Sequence, residues 1–252
     1  MKKKKLRTQE EQDELYLSVN DAKITVENVN SLTYNGQEQS QKLNVYYDGT
    51  LLSEGTHYTI SGNANVNAGN YTLTITGKGT FQGERTIDYE IKKAPLIVTV
   101  NDEEITYGDA VPDYSVTYSG FVNEETKDVL RGTLVLNCGY AQFSNAGNYD
   151  ITATGYESDN YGITYIKGNV KVNKKVVGLD WSNLIFTYDG NAHLPTVTVT
   201  GLVNGDTCDV TVTGEGTDAG VYTATATELS NNNYTLPENA TVEFVIQRPA
   251  DI

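Results

Sequence analysis

The side chains best suited to covalent or metal chemistry are few and far apart. His57 and His193 are the only histidines, Cys138 and Cys208 the only cysteines. An activated nucleophile needs a base within hydrogen-bond reach and a third group that orients the base. Neither histidine has a serine or cysteine nucleophile and an acidic partner at suggestive spacing, and the two lie in non-equivalent stretches of chain. No pair of Cys or His residues has the separation of a zinc site. Gly77-Lys78-Gly79 lacks the strand, turn and helix of a phosphate loop, so it reads as a turn. The chain is therefore expected to be non-catalytic, with no catalytic, cofactor-binding or metal residues assigned and no cofactor.

Two weaker chemistries remain open. Asp102-Glu103-Glu104 with Asp109 offers oxygens for calcium. The cluster lacks the Asp-x-Asp-x-Asp-Gly spacing of a calcium loop, and an exposed strand end accounts for it. An isopeptide crosslink would join Lys93 or Lys175 to an asparagine in a last strand. The apolar runs Ile87 to Ile91 and Val242 to Ile246, where such an asparagine is expected, contain none.

Charge narrows the partners. The formal net charge is −15, which repels phosphate backbones, and the one lysine cluster, Lys2 to Lys5, opens a polar lead-in. Nucleic acid is not expected as a partner. The segment after Leu6 is polar through Glu14, so no signal peptide is read there, and no apolar run is long enough to insert in a membrane. Residues 1–20 are expected to be a flexible lead-in, or a short helix from the capping box Thr8-Gln9-Glu10-Glu11 through Leu17. Cys138 and Cys208 fall at unrelated positions of different repeats, which argues against a disulfide within one unit.

The elements that carry these residues are strands. Tyrosine is abundant, 18 residues against 5 Phe and 1 Met, and Thr, Val, Gly and Asn suit pleated strands and the turns between them. One punctuation recurs three times. A Tyr-x-Gly turn opens each unit: Tyr34-Asn35-Gly36, the shortened Tyr107-Gly108-Asp109, and Tyr188-Asp189-Gly190. A small turn and a tyrosine follow: Asn67-Ala68-Gly69-Asn70-Tyr71, Asn145-Ala146-Gly147-Asn148-Tyr149 and Asp218-Ala219-Gly220-Val221-Tyr222. An apolar strand closes each unit. Apolar residues alternate at period two, as in Tyr71, Leu73, Ile75 and in Tyr149, Ile151, Ala153, so each strand buries one face. The expected fold is all-β: three tandem immunoglobulin-like antiparallel β-sandwiches arranged end to end, at 21–93, 94–174 and 175–248.

In immunoglobulin-type sandwiches a tyrosine two residues before a disulfide cysteine forms a corner, its hydroxyl bonding back to the upstream backbone. Tyr71, Tyr149 and Tyr222 take that place, and Leu73, Ile151 and Ala224 replace the cysteine. With these residues in register the three units resemble the MBG-type and related immunoglobulin-like repeats of bacterial surface proteins. The second unit fits best, through Tyr107-Gly108-Asp109-Ala110-Val111-Pro112, Tyr118-Ser119-Gly120-Phe121, the Asn-Ala-Gly-Asn-Tyr corner and Asn160-Tyr161. The third matches a shorter variety through Tyr188-Asp189-Gly190, its corner and Asn233-Tyr234. The first departs most, with its Tyr46-Tyr47-Asp48-Gly49 hairpin. The resemblance implies an extracellular or cell-surface, multi-repeat protein with neighbouring domains as partners.

Two roles follow from it. One is a structural spacer or stalk. The other is an adhesin or carbohydrate-binding module that meets a glycan or a host or matrix protein through exposed Tyr46, Tyr47 and Trp181. The spacer makes a prediction about shape. A single globule of this length has a radius of gyration of about 18 Å, whereas three sandwiches end to end, each roughly 35 Å long, give a value near ~30 Å. Small-angle X-ray scattering is expected to return the larger value; one close to the smaller would exclude the end-to-end arrangement.

Overall fold

The computed structural model describes residues 16–249. The lysine cluster and the Thr8–Glu11 capping box lie outside them. The helix expected to run through Leu17 is replaced at that end by a strand: Leu17–Ser18 pairs in parallel with Phe81–Gln82. Val19, next along, is 1% exposed. Leu17 and Val19 both have apolar surface to bury against the first repeat, and that outweighs a local capping preference.

The chain divides into two compact units. One takes in residues up to Val98 with Tyr118–Leu134 and Thr154–Tyr165; the other takes in Thr99–Thr117, Val135–Ala153 and residues from Ile166 onward. The borders run through strands of the middle sequence repeat, so each unit holds one outer repeat and part of the middle one.

In the first unit a four-stranded sheet has the order Leu32–Thr33, Glu84–Lys92, Gly69–Gly77, Tyr58–Ser61. Its closing strand pairs in parallel with the short strand before Tyr34 (Ile91 opposite Leu32) and antiparallel with the long central strand (Ile87 opposite Leu73). A three-stranded sheet is built from Ile24–Glu27, Asn44–Tyr47 and Thr50–Leu51. Ile24, Val45, Leu73, Ile75 and Ile91 are buried in one core, which continues to Leu96 and Tyr161 of the middle repeat. The alternation predicted from sequence is the cause, since Leu73 and Ile75 are fully buried while Thr72, just before them, faces solvent and Thr74, between them, is only half-buried.

The second unit repeats the pattern. Ile185–Thr187, Thr241–Gln247, Gly220–Leu229 and Val210–Thr213 form a four-stranded sheet in that order. Phe186 stands opposite Ile246 in parallel, and Tyr222 opposite Phe244 antiparallel. The same two pairings occur among Glu103–Thr106, Gly168–Asn173 and Gly147–Glu157, with Ile105 opposite Val172 and Tyr149 opposite Val170. The core of the last repeat is Ala224, Phe244 and Ile246, against which Trp181, Phe186 and Leu194 pack. The small alanines leave room that the larger aromatic rings fill. The fold is thus all-β and immunoglobulin-like in its curled sheets, antiparallel but for the parallel edge strands, and among the described residues the one helical turn is the 3-10 turn Lys127–Val129.

The three corners have the predicted geometry. The hydroxyls of Tyr71, Tyr149 and Tyr222 donate to the carbonyls of Asn67, Asn145 and Asp218 at 2.8, 2.7 and 2.9 Å. Leu73, Ile151 and Ala224, at the cysteine position, are each 0% exposed. Both cysteines are free and half-buried.

Tyr114 differs, because its buried hydroxyl makes no hydrogen bond of good geometry and has only the Cys138 thiol, a weak partner, beside it. Removing a bonded hydroxyl costs about 0.5–1.5 kcal/mol, whereas removing a poorly bonded one relieves a desolvation penalty. Tyr149→Phe is therefore expected to lower stability by about 1 kcal/mol, and Tyr114→Phe to leave it unchanged or raise it. Chemical denaturation of the two variants beside the parent chain checks the difference in sign.

Candidate functional site

The positions that sequence reading singled out for chemistry are occupied in other ways. Asp102 accepts from the Asn169 amide at 2.8 Å. Glu104 accepts from Lys171 Nζ and Asn173 Nδ2, both at 2.8 Å, and the lysine bond holds its carboxyl below the usual range. Asp109 caps its own turn by accepting from the Thr106 amide. Among the described residues no group of three or more His, Cys, Asp or Glu is placed to hold a metal ion. Lys93 Nζ donates to the Ser158 carbonyl at 2.6 Å. His57 Nδ1 accepts from the Ser53 amide, with its ring against Phe81. His193 stacks on Phe186 and bonds Asp189 in its own turn.

The proposed aromatic anchors are also engaged. Tyr46 and Tyr47 are half-buried, and the Tyr47 ring meets Phe81 edge-on at 5.7 Å between centroids. Trp181 packs on the core of the last repeat. None of the three stands out as an exposed platform.

What the fold does assemble is a pair of matching polar nodes. In the first unit the Tyr34 hydroxyl donates to Glu125 Oε1 at 2.6 Å, and the Tyr161 hydroxyl donates to Oε2 of the same carboxylate. In the second unit the hydroxyls of Tyr107 and Tyr234 both donate to Asp206 Oδ2 at 2.8 Å. Each node joins the Tyr of an opening turn to two groups of the following repeat. The rings meet edge to face, at 5.5 Å and 82° for Tyr34 and Tyr161 and at 5.4 Å and 76° for Tyr107 and Tyr234. All four tyrosines are buried. A backbone amide completes each node: Val122 N donates to the Tyr161 hydroxyl at 3.1 Å, Val203 N to that of Tyr234 at 3.0 Å.

Local sequence explains the geometry. The carboxylates end two equivalent loops, Gly120-Phe121-Val122-Asn123-Glu124-Glu125 and Gly201-Leu202-Val203-Asn204-Gly205-Asp206. In each, two successive residues take left-handed conformations, Asn123 and Glu124 at φ 52° and 60°, Asn204 and Gly205 at 57° and 70°. That tight turn brings the acid back beside the valine amide. The opening turns must come close to these loops, which is why they carry glycine: a Cβ on Gly36 would lie 2.5 Å from Asn123 Cβ, and one on Gly108 would lie 2.9 Å from Val203 Cγ2.

A second contact flanks each node. Asn160 Oδ1 accepts from the Ala68 amide at 3.0 Å, and its Nδ2 donates to Asn67 Oδ1 at 3.1 Å. Asn233 does the same to Ala146 and Asn145, at 2.8 and 3.0 Å. The corner turn of one repeat thus docks on the Asn-Tyr pair of the next. At the two boundaries expected from sequence, single residues separate successive strands: Lys93 between strands ending at Lys92 and starting at Ala94, and Lys174 between Asn173 and Lys175.

The Tyr-x-Gly turns and the Asn160-Tyr161 and Asn233-Tyr234 pairs stand out in the sequence, but their joint role does not, and nothing local marks Glu125 or Asp206. The usable signal was the matching spacing of the two Gly-to-acid loops.

Three of the four node tyrosines, Tyr107, Tyr161 and Tyr234, lie in regions matched by a known family. The family described as MBG domain (YGX type) matches residues 96–171 and 177–241, more than half of the chain. The chain belongs to the MBG family. The segment before residue 96, with the Tyr46-Tyr47 hairpin, lies outside the matched regions. No curated protein matches this MBG chain. Among solved structures it is similar to the three N-terminal domains of the bacteriophage RB49 Highly Immunogenic Outer Capsid protein, at 12% identity over 90% of this chain and 99% of that one, with a TM-score of 0.29. It is also similar to the N-terminal eight Ig domains of Down Syndrome Cell Adhesion Molecule, at 10% identity over 89% of this chain, with a TM-score of 0.24. The MBG chain spans 36% of that structure's length.

Electrostatics gives the nodes a pH signature. Burial, and then the hydrogen bond to the carboxylate, push the Tyr34 and Tyr107 phenols up to about 12. Burial also raises Tyr161 and Tyr234. A phenol whose folded value exceeds its unfolded one stabilises the fold fully below pH ~10 and loses that contribution as pH climbs through ~12. Each node is expected to lose on the order of 2–3 kcal/mol over that interval. Replacing both Tyr34 and Tyr107 by Phe should flatten stability measured against pH between about 10 and 12; an unchanged slope would show that the nodes do not titrate as described.

Proposed function

We propose that this chain is a non-catalytic spacer segment of an extracellular or cell-surface bacterial protein, with an immunoglobulin-like module at 21–93, MBG-type modules at 94–174 and 175–248, and Leu17–Val19 joined to the first. Its work is mechanical: to set the angle and separation of whatever domains neighbour it.

The observation that carries this reading is the recurrence of the carboxylate node at both joints. A flexible tether needs no specific contact between successive modules. Here each single-residue joint is accompanied by a shared carboxylate, two buried aromatic rings and an asparagine clamp, all built from equivalent residues. Hydrogen bonds to an ionised acceptor are roughly twice as strong as neutral ones, and they are strengthened where burial of the donor phenols lowers the local dielectric. The packing of Tyr47 and Trp181 into their own repeats further favours a spacer over an aromatic ligand platform. No helix among the described residues is long and apolar enough to cross a membrane.

Limited proteolysis tests the proposal, because trypsin recognises the joint lysines Lys93 and Lys174. In the parent chain both joints are expected to resist cleavage. Glu125→Ala with Asp206→Ala removes both carboxylates, weakens each joint by about 2–4 kcal/mol, and should speed cleavage there by roughly ten-fold or more while leaving the other sites slow. Equal rates in the two proteins would remove the basis for a joint held by its nodes.

A further inference from the structure

The third repeat presents the same donor half-site that the first two use, and there it is open. We infer that the face around Tyr188, Gly190 and Asp218-Ala219 docks a further module of the same family, one that offers a Gly-to-acid loop and an Asn-Tyr pair. This rests on the node reading above and adds the partner.

The equivalence is structural as well as sequential. The Tyr34, Tyr107 and Tyr188 amides donate to the last residue of the closing strand in each repeat, Lys92, Asn173 and Gln247, all at 2.8 Å. The corner turn beside each is held by the same tyrosine bond. The surroundings differ. Tyr34 and Tyr107 are 6% and 3% exposed, whereas Tyr188 is 41% exposed. A Cβ on Gly36 or Gly108 would collide with the next module's loop, whereas one on Gly190 would meet nothing within 4 Å. Ala68 and Ala146 are half-buried under the following repeat, whereas Ala219 is exposed.

The chemistry left open fits one partner. A phenol donor at Tyr188 asks for a carboxylate. The Ala219 amide asks for an asparagine Oδ1, as the Ala68 and Ala146 amides do. In the two closed joints the side chains of Asn67 and Asn145 serve only as acceptors toward the incoming asparagine, and Asp218 keeps that role. The first repeat of a second copy of this chain does not supply the match. Phe81 pairs with Leu17 as Tyr234 pairs with Lys175, so the position that contributes a hydroxyl in the later repeats has none in the first.

The test extends the full chain. Residues 174–248, carrying Tyr188→Phe, are joined directly after Gln247, the position equivalent to Asn173 in the existing joint. Nitration of exposed tyrosines by tetranitromethane is then followed by mass spectrometry. Tyr188 of the original chain is expected to react readily when unextended and about ten-fold more slowly when extended, approaching Tyr34 and Tyr107. Asp206→Ala with Tyr234→Phe in the added copy should restore its reactivity, with the folding of that copy followed through Trp181 fluorescence. Unchanged Tyr188 reactivity on extension, protection that survives the double change, or concentration-dependent protection of the unextended chain would each overturn the inference. Fast nitration of Tyr34 and Tyr107 in the parent chain would instead defeat the node reading on which it rests.

Discussion

A half-buried carboxylate shared by two buried tyrosine hydroxyls is the interaction on which the rest of this structure turns. Left without an acceptor, each buried phenol would be unfavourable, and a carboxylate partly withdrawn from water needs donors. Brought together, they satisfy one another, and a valine amide takes up the remaining acceptor capacity of one hydroxyl. The requirement propagates outward. The acid must sit at the end of a left-handed turn, the opening tyrosine must be followed by a turn whose glycine permits close approach, and the joint must be short enough to keep both in register.

Within each repeat the forces are more ordinary. Period-two alternation buries one face of every long strand. A tyrosine corner fixes the turn before the central strand, and an apolar side chain occupies the place where related sandwiches carry a disulfide. Each repeat is small, and a domain of this size buries a modest fraction of its surface. Continuing the core of the first repeat into Leu96 and Tyr161 adds apolar contact that a separate module would lack.

The acidic surface then takes a simple place. Charges such as Glu104 with Lys171, or Arg131 with Asp159, lie exposed on strands and turns, where ion pairs contribute little and net charge favours solubility. The two acids that matter to the joints, Glu125 and Asp206, are chosen by position and not by the abundance of their type.

Reading the chain alone was enough for the fold class, the threefold recurrence, the corner tyrosines and the MBG resemblance, because each is written in local spacing: period two, a turn residue, a tyrosine two before an apolar core position. The helix to Leu17 failed for the complementary reason, since local capping cannot register the apolar slot that Phe81 and its neighbours hold open. The nodes lay beyond local reading as well. Tyr34 and Glu125 are brought together by the fold, as are Tyr107 and Asp206, and no period links them. Nor does composition distinguish Tyr47 and Trp181, half-buried against the cores of their repeats, from Tyr188, which stands open. Alternation specifies which face of a strand is buried; only the tertiary structure decides which loop of the next repeat arrives there, because that depends on where whole sheets end.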